Sequence, residues 1–452
     1  MNQDDLDPNP SQSAKNARRD GLWFLFLAAM TFLLLGSALE YAAPTPAQDF
    51  RLVYYSARCL IEGHDPYNAA DLLRIFDSEG AEGSPTTEIG RITESQYLYF
   101  PTAFSITIPF AFMPFGMSHI VWLALMFGSL CLASYLLWEV CASVAPVLAG
   151  AMIGFSLANC PLFMVVGNPG SISIALCAIS VWCFIRERFI WSGAACLAMS
   201  LMLKPHNAVF VWLYFLCAGG KFRLRALQTL VLIFLLSVPS FLLTMRAAPN
   251  WEHELHTNLV ANSARGGLSD PGPSSKAAHG IGMLVDLQAI FSMVHDDPEF
   301  YNPVSYGICG ILLFVWMVRV LSLRASPRVA WFAIAPISAI SLLPVYHRLG
   351  DAKLLLLVVP ACSVLWAEGS RIGKIAVALA VAGFVLTADF TWIIALRLIG
   401  RAQFPNIPIL NELRVALQIV PVPLCLLMIG IGFLWIFIAY TGREMTTNLS
   451  GN

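Results

Sequence analysis

The sequence predicts an all-α polytopic membrane protein, a bundle of about 12 transmembrane helices with a large first outer loop carrying interfacial helices. Three observations lead there. Hydrophobic residues make up 58% of the 452-residue chain and charged residues 12%, too little charge to cover a water-soluble protein of this length. Apolar runs at or near bilayer-spanning length recur from one end to the other. The short loops hold most of the basic residues, which the positive-inside rule places in the cytoplasm. The 29 Phe and 12 Trp suit surfaces that face lipid or anchor at its boundary. No basic block or zinc-type cysteine spacing is present, so nucleic acid is not an expected partner. No metal-ligand cluster is visible, and neither cofactor nor metal is expected.

Residues 1–20 are polar, contain Pro, Ser and Asn, and read as a disordered cytoplasmic leader. A single transmembrane domain follows over 21–440, and 441–452 read as a cytoplasmic tail. Apolar stretches run at 22–39, 119–140, 145–163, 171–185, 227–244, 304–323, 329–343, 353–366, 375–395 and 419–440. Two shorter halves, 192–203 and 206–218, are broken at Lys204-Pro205. Phe100–Met113 is apolar but short, with Pro101, Pro109 and Pro114 around it, and reads as a segment that dips into the membrane without crossing. With the basic loops inside, outer loops fall at 40–99 and 246–302. The first carries ten acidic residues and four Arg, which fits a non-cytoplasmic location.

The chemistry-bearing residues collect in those outer segments. Gln48-Asp49 opens an amphipathic helix with Phe50, Val53, Tyr54, Ala57 and Leu60 on one face. Arg51, Tyr55, Arg58 and Glu62 lie on the other, so the helix is expected in the interface plane. Asp49 reads either as an N-cap or as a carboxylate placed to take a proton from a substrate. Glu62-Gly63-His64-Asp65-Pro66-Tyr67 is a turn, and Tyr97-Leu98-Tyr99-Phe100-Pro101 leads into the Pro-interrupted stretch. Gly167-Asn168-Pro169-Gly170 is a tight turn between spans, where Asn168 either shapes the turn or touches a ligand. Lys204, followed by Pro205 and His206, sits between two apolar halves and needs an anion, water or snorkelling to the interface. Tyr346-His347-Arg348-Leu349-Gly350-Asp351-Ala352-Lys353 packs a His, two cations and a carboxylate into one outer loop, which suits a phosphate.

Taken in order, Gln48-Asp49-Phe50, Gly63-His64-Asp65-Pro66-Tyr67, Tyr99-Phe100-Pro101, Gly167-Asn168, Leu203-Lys204-Pro205 and Tyr346-His347 resemble glycosyltransferase family 87. That family comprises the polyprenyl-phosphate-mannose-dependent mannosyltransferases of the GT-C superfamily. The chain departs at Gly167-Asn168-Pro169, where many relatives look like Gly-Gln-x-Asn, and at Phe100, where a second Pro or a Tyr-Pro is common. The resemblance implies a GT-C-like bundle in the cell membrane with its active site on the outer, periplasmic side. The implied donor is a polyprenyl-phosphate sugar, with mannose expected, and the implied acceptor a hydroxyl of a glycolipid or glycan. Asp49 would be the general base of an inverting transfer, Lys204, Arg348 and His347 would meet the donor phosphate, and Arg58, Tyr67, Tyr99, Asn168 and His206 are candidate substrate contacts. The competing reading is a membrane transporter or lipid flippase.

Overall fold

The computed structural model describes residues 10–78, 96–275, 283–401 and 408–450. The first nine residues of the expected leader and the last two of the expected tail lie outside them. Regular structure among the described residues is helical, with one isolated antiparallel bridge between Leu284 and Arg348. The chain runs α1 (Pro10–Ala42), α2 (Gln48–Ile61), α3 (Ala69–Ser78), then a 3-10 turn (Pro101–Ala103) leading into α4 (Phe104–Ala111). Next come α5 (Phe115–Cys141), α6 (Pro146–Ala158), α7 (Leu162–Val166), α8 (Pro169–Ile185), α9 (Ile190–Leu203), α10 (Pro205–Ala218) and α11 (Gly220–Ala247). The remainder is α12 (Trp251–Ser263), α13 (Gln288–Ser292), α14 (Pro298–Leu321), α15 (Pro327–Ile340), a long 3-10 helix (Leu349–Val358) continuing as α16 (Val359–Ala367), α17 (Arg371–Leu386), α18 (Asp389–Arg401), α19 (Pro408–Ile419) and α20 (Pro421–Ser450).

Among the described residues seven helical segments are long and apolar enough to cross a bilayer, or eight if α17 and α18, bent by 58° at their junction, form one broken span. The count of about twelve includes α8, α9, α10 and α15, of 14 to 17 residues. At about 1.5 Å per residue these fall short of a hydrocarbon core about 30 Å thick. Their position explains the shortfall: α8 and α15 are buried along nearly their whole lengths, so neighbouring helices rather than lipid enclose them. Lipid-facing surface is instead supplied by longer helices such as α1 and α11, where Trp23, Phe26, Leu34, Phe234 and Leu242 are exposed. Phe104–Ala111 makes α4 only eight residues long, too short to cross.

Two expectations are corrected. Helix α1 begins at Pro10, so residues 10–20 extend the first helix and do not form a disordered leader. Pro10 suits a first helical position, and no Gly or Pro interrupts the chain before Gly21. The polar face of α2 is also not turned to water: Arg51, Tyr55, Ser56 and Cys59 are as buried as Phe50 and Tyr54. α3 roofs that face, and the Tyr55 and Phe76 ring centroids lie 4.0 Å apart. Only the far end, at Arg58 and Glu62, reaches the surface.

Helices α1 and α6 meet through glycines. A Cβ on Gly150 would stand 2.5 Å from the Gly21 carbonyl oxygen, and one on Gly154 3.0 Å from that of Phe24. Small residues four apart permit this backbone approach, the route by which membrane helices gain packing without a hydrophobic drive. The two outer loops also join each other. Asn258 Nδ2 on α12 donates to the carbonyls of Tyr67 (3.0 Å) and Tyr97 (3.5 Å), and Trp251 packs on Tyr67. The basic loops are cross-linked by Arg186–Glu139, Lys221–Glu187 and Arg328–Glu368.

Two outcomes follow from this packing. Gly150→Leu should cost about 1–3 kcal/mol through overpacking, read as a lower unfolding midpoint in detergent, whereas the same change at Gly116, which faces open space, should be near neutral. Cysteines introduced at Ala70 and Ala261 should both react with a membrane-impermeant maleimide added outside intact cells; labelling of one site alone would contradict a shared outer face.

Candidate active site

The site begins with a glycine contact. Ala47, in the left-handed region at φ 56°, precedes α2, and its N–H donates to the Val165 carbonyl at 2.7 Å. Gly167, at φ 67°, faces it, and a Cβ there would lie 2.7 Å from Phe50 Cβ. Glycine is therefore required on both counts. Trp122 Nε1 donates to the Gly167 carbonyl at 3.0 Å, and its indole stacks on Phe50 with centroids 5.0 Å apart. Phe50 is thus clamped, and Asp49 beside it is fixed at the first turn of α2. No side chain caps this helix, so the N-cap reading of Asp49 fails. Its Oδ2 accepts instead from Asn168 Nδ2 at 2.6 Å. Asn168 Oδ1 accepts from the Gly170 N–H at 2.6 Å, so the same side chain caps α8 and orients Asp49.

Lys204 ends α9 and precedes α10, with backbone φ −147° and ψ 80°. Its Nζ donates to both oxygens of Asp351, at 2.7 and 2.9 Å, and the pair is almost fully buried. Asp351 also accepts from Asn207 Nδ2 (3.3 Å) and from the Arg348 backbone N–H (3.0 Å). Gly170 makes room for this cluster, since a Cβ on it would meet Asp351 Oδ1 at 2.7 Å and Lys204 Nζ at 3.0 Å. The expectation that Lys204 and Arg348 share an external phosphate meets a built-in counter-ion: the anion beside Lys204 is the protein's own carboxylate.

Between these parts lies a cavity of about 320 Å³. Asp49, Asn168, Arg348, Asp351, Lys353 and Asp389 line it, with Leu162, Val165 and Leu349 among its apolar walls. Arg348 Nε donates to the Tyr346 hydroxyl. Burial pushes the Asp49 carboxyl above its ordinary value, while the charges of Arg348 and Lys204 and the Asn168 hydrogen bond pull it back. The nearby Tyr346 hydroxyl, and the Asp49 and Asp351 carboxylates, hold Arg348 firmly cationic against its own desolvation. Tyr99 is close enough for Asp49 to raise its hydroxyl further above the high position that burial already gives it.

The remaining candidates separate. His347 and His206 are neighbours, ring centroids 4.6 Å apart, but neither lines the cavity. His347 Nδ1 faces the Val345 carbonyl at 2.8 Å, and burial lowers its basicity. Tyr67 lies in a second aromatic cluster, its hydroxyl donating to the Tyr99 carbonyl at 3.0 Å. Arg58 is turned away: it pairs with Glu62 and donates to the Ala111 carbonyl at the end of α4. Lys353 staples two helix ends, donating to the carbonyls of Asn159 (3.0 Å) and Thr387 (2.7 Å). Asn207 and Asp389 were not singled out for the site by sequence. Asp389 accepts from the Leu162 N–H at 2.9 Å, which fixes the cavity wall, and its only signal in the sequence is a carboxylate at an apolar boundary. Among the described residues no group of three His, Cys, Asp or Glu is placed to hold a metal ion.

Comparison with known proteins agrees with this architecture. The model of glycosyltransferase family 87 matches residues 97–344. The matched span contains Tyr99, Asn168, Lys204 and His206, while Asp49, Arg348 and Asp351 lie outside it and are brought against it by the fold. Searches of curated proteins and of solved structures returned no match. The transporter or flippase reading gives way on the family match. Spanning more than half of the chain, it shows that this multi-pass membrane protein belongs to glycosyltransferase family 87.

Proposed function

We propose that this glycosyltransferase moves a sugar, mannose on the family resemblance, from a polyprenyl-phosphate donor to an acceptor hydroxyl at the non-cytoplasmic face of the cell membrane. The observation that carries the reading is the placement of a half-buried carboxylate, Asp49, and a half-buried guanidinium, Arg348, in the walls of one largely apolar cavity. A membrane-held donor needs cationic help at its departing phosphate, and a neutral acceptor hydroxyl needs a base. Arg348 and Asp49 meet those two demands.

In this scheme Asp49 takes the proton of the acceptor hydroxyl as its oxygen attacks the anomeric carbon. The bond to the phosphate oxygen breaks on the opposite face, inverting the configuration, and the phosphate leaves with the bonding pair beside Arg348. Asn168 keeps one Asp49 oxygen engaged and so sets which edge of the carboxylate faces the substrate. The apolar walls exclude water, which strengthens both charge interactions. Tyr99, kept protonated, stands near Asp49 outside the cavity lining, and Tyr67 fixes its backbone. His206 and His347 support the Arg348 loop from behind. Glycolipid and glycan acceptors both satisfy this chemistry.

Asp49→Asn can still accept from Asn168, so yield and thermal stability should persist while transfer falls by about 10²–10⁴, or about 3–5 kcal/mol of barrier. The assay is sugar transfer from synthetic polyprenyl-phosphate-mannose to membrane-extract acceptors, followed by mass spectrometry. Near-normal turnover by the Asn variant would remove Asp49 from the base role. Because burial holds the Asp49 carboxyl above the usual aspartate value of about 3.9, and the base must be ionised, activity should drop as pH falls through that raised value. The acid limb of kcat/KM should therefore lie above the ordinary aspartate range and be absent from the residual rate of Asp49→Asn.

A further inference from the structure

The segment Tyr346–Leu349 is held along two edges, and the second edge has no role in the scheme above. On one edge the outer loop at 283–285 pairs with it as a strand would. Val285 N–H donates to the His347 carbonyl at 3.0 Å and Leu349 N–H to the Met283 carbonyl at 3.1 Å. These bonds use the His347 carbonyl and the Leu349 N–H, and the backbone groups of Arg348 point the other way. Both are taken by Asp351: its N–H donates to the Arg348 carbonyl at 2.8 Å, and its Oδ2 accepts from the Arg348 N–H at 3.0 Å. That carboxylate cannot swing, because Lys204 grips both its oxygens and Asn207 adds a third contact from α10.

We infer that Asp351 is a positioning residue that, locked by Lys204, holds the Arg348 backbone so that its guanidinium faces the cavity lined by Asp49. The inference rests on the proposed function for what Arg348 does to a substrate, but not for what Asp351 does to Arg348. Lys204 is then the anchor of an internal strut rather than a ligand for the donor. An ion pair alone would not need Asp at this end. Any anion could neutralise Lys204, but only an acceptor at position 351 can receive the Arg348 N–H.

That difference supplies the test. In the swap variant Lys204→Asp with Asp351→Lys, the pair can re-form with the same net charge, yet an ammonium at position 351 cannot accept from Arg348. The swap should fold better than either single change and still transfer sugar about 10²-fold more slowly, the scale of a lost charge-stabilising donor. Placed in an Arg348→Gln background, it should cost nothing further, since both changes remove the same guanidinium from the cavity. Multiplying losses, or a swap variant that works at the wild-type rate, would overturn the inference.

A second readout does not depend on turnover. The infrared band of protonated Asp49, identified by its absence in Asp49→Asn, can be titrated in each protein. The groups facing Asp49 are Arg348, Lys204, Asp351, Asn168 and Tyr99. Lys353 and Asp389 line the same cavity, and the His119–Glu40 pair stands behind Phe50. Because Arg348 favours the ionised carboxylate, misplacing it should move the midpoint upward, and the swap should match Arg348→Gln. An unmoved midpoint in the swap, with a moved one in Arg348→Gln, would show that Asp351 does not act through Arg348. If the wild-type protein transfers nothing from polyprenyl-phosphate-mannose, the proposed function fails, while the titration of the same variants still decides the strut.

Discussion

A buried ion pair, Lys204 with Asp351, is the constraint on which the rest of the site depends. Two charges removed from water inside a bundle are costly unless geometry and extra hydrogen bonds compensate them. Lys204 Nζ meets both Asp351 oxygens within 2.9 Å, and Asn207 and the Arg348 N–H take up more of the carboxylate's accepting capacity. Removing one partner would strand the other, at a cost of about 3–5 kcal/mol. The pair also sits where separate parts of the fold must agree: the break between α9 and α10, the N-terminus of α8 at Gly170, and the start of the long 3-10 helix. Two 14-residue helices that end against each other inside a bundle leave backbone groups and a cation at the break, and Asp351 answers the cation.

The opposite wall is built by close packing instead of charge. Asp49 has its place because Gly167 lets Phe50 approach and because Trp122 and Phe110 pack around Phe50. α2 belongs to an outer loop by sequence position, yet it is as buried as a core helix. In the proposed scheme, a base mounted there has the rigidity that proton transfer demands, since reacting groups must be held at hydrogen-bonding distance. Asn168 links this wall to the end of α8, next to the Gly170 that accommodates the ion pair. The two walls therefore share one turn, Gly167-Asn168-Pro169-Gly170, in which both glycines are dictated by neighbours and the Asn by its two hydrogen bonds.

How much of this could be read from sequence follows from the range of each interaction. Hydropathy is local, so the membrane bundle was legible, as was the shortness of the apolar segment Phe100–Met113, which forms an eight-residue helix. The number of spans was not, because α8 and α15 are shielded by protein and need not match bilayer thickness. The amphipathic pattern of α2 was real, but its polar face is covered by α3, a tertiary contact that periodicity does not contain. At the site, Asp49, Asn168 and Arg348 announced themselves as polar groups at apolar boundaries. Lys204 did so too, and its need for an anion was evident. Its partner was not, because Asp351 lies 147 residues away and stands in the sequence beside more conspicuous neighbours, His347 and Arg348.

The charges of the cavity also explain why a base and a cation can share it. A carboxylate buried alone would hold its proton and be useless as a base near neutrality, whereas one in a direct ion pair with Arg would be quenched as an acceptor. Asp49 lies between these limits. Burial raises it, Arg348 and Lys204 lower it, and Asp351 raises it again by opposing them. The Asp351 carboxylate thus offsets the excess of positive charge that Lys204 would otherwise add, and Arg348 lines the cavity together with Asp49 and Asn168. In the proposed scheme, a substrate that brings its own negative charge meets Arg348 without first displacing Asp49 from it. In that same scheme, the hydroxyl that must lose a proton meets a carboxylate oriented by an amide rather than neutralised by a guanidinium.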